Sequence, residues 1–93
     1  MEPELPGADL VARGIADLAT GRLTREALLV LVGRPRLEAL GVLIPPEPAG
    51  EAAPEMLLYE LLTREHGDGA HSAYNALIRR LVSYERALEL ASG

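Results

Sequence analysis

The feature that most constrains this chain is a spaced run near its C-terminus. Ala70, Tyr74, Leu77, Leu81, Tyr84, Leu88 and Ala91 alternate intervals of four and three residues, and Ile78 and Val82 widen the stripe. That spacing is a heptad seam on one face of a helix, and a strand cannot hold it on a single side. A helix from about Gly69 to Leu90 follows, and the remaining residues must supply its cover. With Tyr74, Leu81 and Leu88 at one seam position and Leu77, Tyr84 and Ala91 at the other, about three heptads are filled, near the lower limit for a coiled coil.

The other segments carry helix signals too. Pro54 and Glu55 open a fourth helix in which Met56, Leu57, Leu58, Leu61 and Leu62 make a wide apolar face before Gly67. Near the N-terminus, Val11, Gly14, Ile15 and Leu18 recur at helical spacing, and Gly21 is placed to stop that helix. Gly14 on its apolar face lets a neighbouring helix approach closely. Thr24 is placed to cap a second helix and Glu26 suits its positive end, while Gly33 stops it. Between them Ala27 to Val32 is apolar on every side. Such a segment is buried, and over so few residues periodicity alone does not separate helix from strand; the caps favour helix. Pro35 suits the first turn of a short third helix with Leu37 and Leu40 inward and Gly41 at its end.

Composition agrees with an all-α fold. The 93 residues are 48% hydrophobic but only 3% aromatic, with no Phe or Trp, so the core is Leu, Val, Ile and Ala around a few tyrosines. The expected architecture is one small helical domain, residues 1–93, a bundle of four to five helices with a long amphipathic C-terminal helix. Residues 1–43 form an N-terminal helical cluster, 44–54 a proline-rich connector, and 55–93 a helical hairpin. The stretch IPPEPAGEAAP that makes the connector has four prolines. Its Pro45 and Pro48 give a minimal PxxP spacing without the basic flank that orients such ligands.

Charge and composition restrict function. A net charge of −5 opposes a chain whose whole surface binds nucleic acid. Without Cys there is no disulfide, thiolate metal site or thiol nucleophile. Every basic residue is Arg, a bias that a GC-rich genome accounts for. The opening Met-Glu-Pro-Glu lacks the basic and apolar regions of a secretory signal, and the longest aliphatic run, Ala27 to Val32, is far short of a membrane span. A cytoplasmic, bacterial-type protein is the expectation.

Four candidate sites remain. EHGDGAHS, Glu65 to Ser72, holds both histidines. As a metal site, His66, Asp68 and His71 would offer two imidazoles and a carboxylate, although a Gly-Asp-Gly break replaces the i, i+4 spacing of a helix-borne pair. As a phosphate loop, Gly67 to Ser72 lacks the preceding strand and the lysine, and Asp68 repels the anion. As a turn, every residue is used: His66 ends one helix, Gly67 takes a left-handed conformation, Asp68 caps the next helix, and Gly69 permits the reversal. The turn reading is the one adopted, with no metal, cofactor or catalytic residue assigned.

The second candidate is a helix-turn-helix formed by Thr24 to Val32, Gly33, and Pro35 to Leu40, with Arg22, Arg25, Arg34 and Arg36 as its basic patch. Against it, the second helix is very short, and Arg22–Glu26 and Arg34–Glu38 are spaced to pair internally. A DNA-binding regulator using Arg25 and Arg36 is one alternative and a metal-binding protein using His66, Asp68 and His71 a further one, and a nucleic-acid partner is not the main expectation. The third is a polar strip of His71, Asn75, Arg79 and Arg86, interrupted by Val82, suited to an anion or a partner carboxylate. The fourth is the seam itself. Tyr74, Leu77, Leu81, Tyr84 and Leu88 either dock on the chain's own helices or join two hairpins as a four-helix dimer. The expected function is a small non-enzymatic protein-interaction or regulatory module, self-associating through its C-terminal helix as a homo-oligomer or binding another protein.

Overall fold

The structure, a computed structural model, describes residues 5–47 and 52–92. Five α-helices account for most of them: α1 (Ala8–Ala19), α2 (Arg25–Val32), α3 (Arg34–Ala39), α4 (Pro54–His66) and α5 (Ala70–Ser92), with one 3-10 turn over Gly67–Gly69. No strand occurs among the described residues, and the all-α expectation is met. Ala27 to Val32, which periodicity left open, is helical.

The stops read from the glycines are hydrogen-bonded ends. After α1 the Gly21 N–H donates to the Leu18 carbonyl and the Arg22 N–H to Asp17; after α3 the Gly41 N–H donates to Glu38 and the Val42 N–H to Leu37. Both are Schellman closures, which satisfy carbonyls that a helix end leaves without partners. The Thr24 hydroxyl accepts from the Ala27 N–H at 3.2 Å and donates to Asp17 Oδ2 at 2.6 Å. One side chain therefore caps α2 and ties it to the last turn of α1.

The centre of the molecule is α2, whose residues Ala27 to Leu31 are all buried. It packs on α1, α4 and α5, which is why a segment with no polar face is stable there. Gly14 makes the closest of these approaches: a Cβ at that position would collide with the Glu26 carbonyl and lie 2.5 Å from Val30 Cγ2. Val11 and Leu18 of α1, Leu37 of α3, Leu58 and Leu62 of α4, and Ala70 and Leu81 of α5 complete the core.

Three details depart from the sequence expectations. Met56 is exposed, not part of the buried face of α4. It is two positions before buried Leu58, about 200° around the helix, so a run of consecutive apolar residues cannot all face inward. Asp68 does not cap α5: it lies within the 3-10 turn, and α5 begins at Ala70. Gly67 has the positive φ expected, but its angles, φ 58° and ψ −120°, are those of the first central residue of a type II′ turn and not the left-handed helical region. The connector is described only in part. Residues 44–47 have no regular structure, while 48–51, which include Pro48 of the PxxP spacing, lie outside the described residues.

Candidate interaction surface

α5 is nearly twice as long as α4, 23 residues against 13, so its C-terminal half extends past its hairpin partner. The N-terminal elements cover much of that overhang. Gly33, between α2 and α3, leaves room for Leu81, whose Cδ2 is 2.8 Å from where a Cβ would stand. Gly7 lies against the Arg80 carbonyl and Tyr84 Cβ, and the Arg80 guanidinium pairs with Asp9 of α1 at 3.0 Å.

The five residues of the seam are therefore used unequally. Leu81 is only 4% exposed and belongs to the chain's own core. Tyr74, Leu77 and Tyr84 are half-buried against the same core, and Leu88 is half-buried near the end of α5.

One buried charge has no counterpart in the sequence reading. Glu85 is one turn beyond Leu81 and is 5% exposed. Its Oε1 is 3.9 Å from Arg36 Nε, and the same guanidinium donates to Glu89 Oε2 at 2.6 Å. Burial pushes the Glu85 carboxyl above its ordinary range, against the opposing pull of Arg36. The available signal was spacing: Glu85 falls four residues after Leu81, inside the widened seam, where a charge must find a partner.

The basic patch of the helix-turn-helix reading is largely engaged. Arg36 faces α5, Arg34 pairs with Glu38 at 3.3 Å as its spacing suggests, and Arg25 meets Glu26 at 3.3 Å and Glu65 of α4 at 3.8 Å. Glu26 thus takes Arg25 and not Arg22. A single residue, Gly33, separates α2 from the six-residue α3, whose Leu37 is fully buried. A DNA-reading pair instead uses a turn of about three to four residues and presents its second helix outward.

EHGDGAHS is a turn. His66, Asp68 and His71 are all exposed, and no three His, Asp or Glu side chains among the described residues assemble into a metal-holding group. His71 Nε2 lies 3.2 Å from the Asn75 amide along α5. No helix among the described residues is long and apolar enough to cross a membrane.

The outer side of the hairpin carries the exposed apolar groups that α4 and α5 share. Tyr59 of α4 and Tyr74 of α5 bring their rings to 5.8 Å, inclined by 53°. Met56 is one turn before Tyr59, and Ile78 and Val82 follow Tyr74 at four-residue steps, so a ridge runs from α4 across onto α5. Met56, Tyr59 and Val82 are 59%, 41% and 42% exposed. Burial first, and the nearby Glu55 carboxylate second, push the Tyr74 phenol above its ordinary value, which places Glu55 beside this ridge. Surface hollows of about 480, 460 and 440 Å³ lie at the loop after α3, along Tyr59 to Arg64 of α4, and between Arg36 and Leu90. In the second of these the Thr63 hydroxyl is held by the Tyr59 carbonyl at 2.8 Å. Comparison with family models, curated proteins and solved structures gives no match.

Proposed function

We propose that this chain is a small non-enzymatic protein-interaction or regulatory module that self-associates through its C-terminal hairpin. The observation that supports it is the ridge of Met56, Tyr59 and Val82, large apolar side chains left in water on the hairpin; Leu23, Leu43 and Leu90 are exposed elsewhere. Apolar groups grouped on one face, with polar residues around them, are the usual form of a protein-binding surface. Because Leu81 is used inside its own chain, the contact shifts from the seam to the neighbouring side of α5, where Val82 is the exposed member.

Sedimentation equilibrium from micromolar to millimolar protein tests the reading. The wild-type chain is expected to form dimers, and Val82→Asp to shift the equilibrium to monomer with helicity unchanged, since Val82 is half out of its own core. A chain that stays monomeric throughout the range and captures no partner protein removes the proposal.

A further inference from the structure

The chain reverses between α4 and α5 almost entirely at one residue. Asp68 and Gly69 are already wound in the 3-10 turn, and Ala70 has helical angles, φ −57° and ψ −42°. His66 departs moderately, at φ −120° and ψ −11°, whereas Gly67 stands at φ 58° and ψ −120°. Rotating Gly67 to helical angles, with a smaller adjustment of His66, would make Pro54 to Ser92 one continuous helix. Only glycine takes up the Gly67 conformation without strain.

Little else holds the turn. Thr63 through Gly69 are exposed, and the His66 side chain makes no capping hydrogen bond to the turn. Apart from its chain neighbours, nothing lies within 4 Å of where a Gly67 Cβ would stand. The contacts that seat α5 are Ala70 and Leu81 in the core, Arg80 with Asp9, and Glu85 and Glu89 with Arg36. The partners in these contacts belong to the other elements of the fold, so an identical copy offers the same seat to an α5 arriving from another chain.

We propose that Gly67 is a hinge at which the hairpin opens into a single helix, and that two open copies exchange α5, each completing the core of the other. The exchange re-forms on the partner the contacts that α5 makes with α1, α2 and α4, and it winds the turn into regular helix. In the closed chain Gly67 and Gly69 favour the reversal, because glycine is among the poorest residues inside a helix. The exposed ridge takes no part, so the exchange stands or falls apart from the contact proposed above.

Spin labels at Glu55→Cys and Arg79→Cys, two exposed positions in a chain without native cysteine, test the hinge. In the hairpin, where Tyr59 meets Tyr74, the labelled positions are nearly level and at most about 20 Å apart, the width of two helices. In a continuous helix the 24 residues between them span about 36 Å. Pulsed electron paramagnetic resonance on labelled chain diluted into unlabelled chain reads this distance within one molecule, and sedimentation gives the subunit number. Gly67→Ala should raise the dimer association constant by about tenfold or more, since alanine strains the reversal and favours the helix. Its dimer should show the longer distance, and adding Val82→Asp should leave both results unchanged. Gly69→Ala, at a position already wound and with ordinary room for a Cβ, should do much less. The doubly labelled wild type should show the longer distance in a fraction that grows towards millimolar protein, a readout that holds even where Gly67→Ala folds poorly. A Gly67→Ala dimer that keeps the short distance overturns the exchange and leaves the ridge contact standing. Absence of the longer distance from both chains at millimolar protein overturns it as well.

Discussion

The two halves of this molecule use apolar sequence in opposite ways. Ala27 to Val32 of α2 is apolar on every side and packs into the core, with Leu29 and Val30 wholly buried. α5 is amphipathic and about three times as long in turns, yet among its residues whose burial is described only Ala70, Leu81 and Glu85 are buried. The shorter helix holds the fold together because it is surrounded by α1, α4 and α5. The longer one is covered on part of its circumference and keeps Val82 and Leu90 in water. The strength of a hydrophobic pattern says which face would gain from burial; the number of elements around it says how much is buried.

The largest expected effect separates the two halves directly. Leu29→Ala should cost about 2–5 kcal/mol, the loss of transfer free energy plus a cavity that α1 and α4 cannot close. Leu90→Ala, at a residue 83% exposed, should change stability by less than about 0.5 kcal/mol. Urea unfolding of both variants measures the difference, and equal losses would mean that the end of α5 is packed as the centre is.

Gly14→Ala comes next. Alanine adds up to about 1 kcal/mol of helix propensity, but overpacking against the Glu26 carbonyl and Val30 costs about 1–3 kcal/mol. A net loss of about 1–2 kcal/mol is expected, read as a lower urea midpoint at an unchanged slope. A gain would show that α1 and α2 separate easily.

The smallest effect concerns the buried charge on α5. Because the Glu85 carboxyl is raised above its ordinary 4.5, the folded state holds its proton to higher pH than the unfolded chain does. Stability from this group is full below the ordinary value and declines as pH rises through the raised one. Glu85→Gln should flatten that part of the stability profile and leave stability at neutral pH within about 1 kcal/mol of the wild type, since the weak pairing with Arg36 and the burial cost oppose each other. An unchanged slope would assign the pH dependence to other carboxylates.

Much of the architecture was legible in the residues. Thr24 capping α2, Gly21 and Gly41 ending their helices, and Gly14 at a helix crossing are local devices whose effect depends on a few neighbouring atoms. The misread positions depend on direction around a helix or on distant neighbours. Met56 and Leu58 are near neighbours in sequence, and nearness in sequence does not give a shared helix face. Glu85 and Arg36 are 49 residues apart in number, and nothing local brings them together.

For the candidate surface, the sequence displays His71, Asn75, Arg79 and Arg86 as a polar strip interrupted by Val82, and offers the heptad seam as the stronger interface. Only the packing of α2, α3 and α1 showed that Leu81 was already covered and that the exposed apolar groups lay one side further round. By itself the sequence determined that the chain is helical, where the helices stop, and which segment must be buried, because these follow from backbone hydrogen bonding and side-chain periodicity over a few turns. The tertiary structure decided which apolar face remains open and which charges are left unpaired, because both depend on what the rest of the chain has already covered.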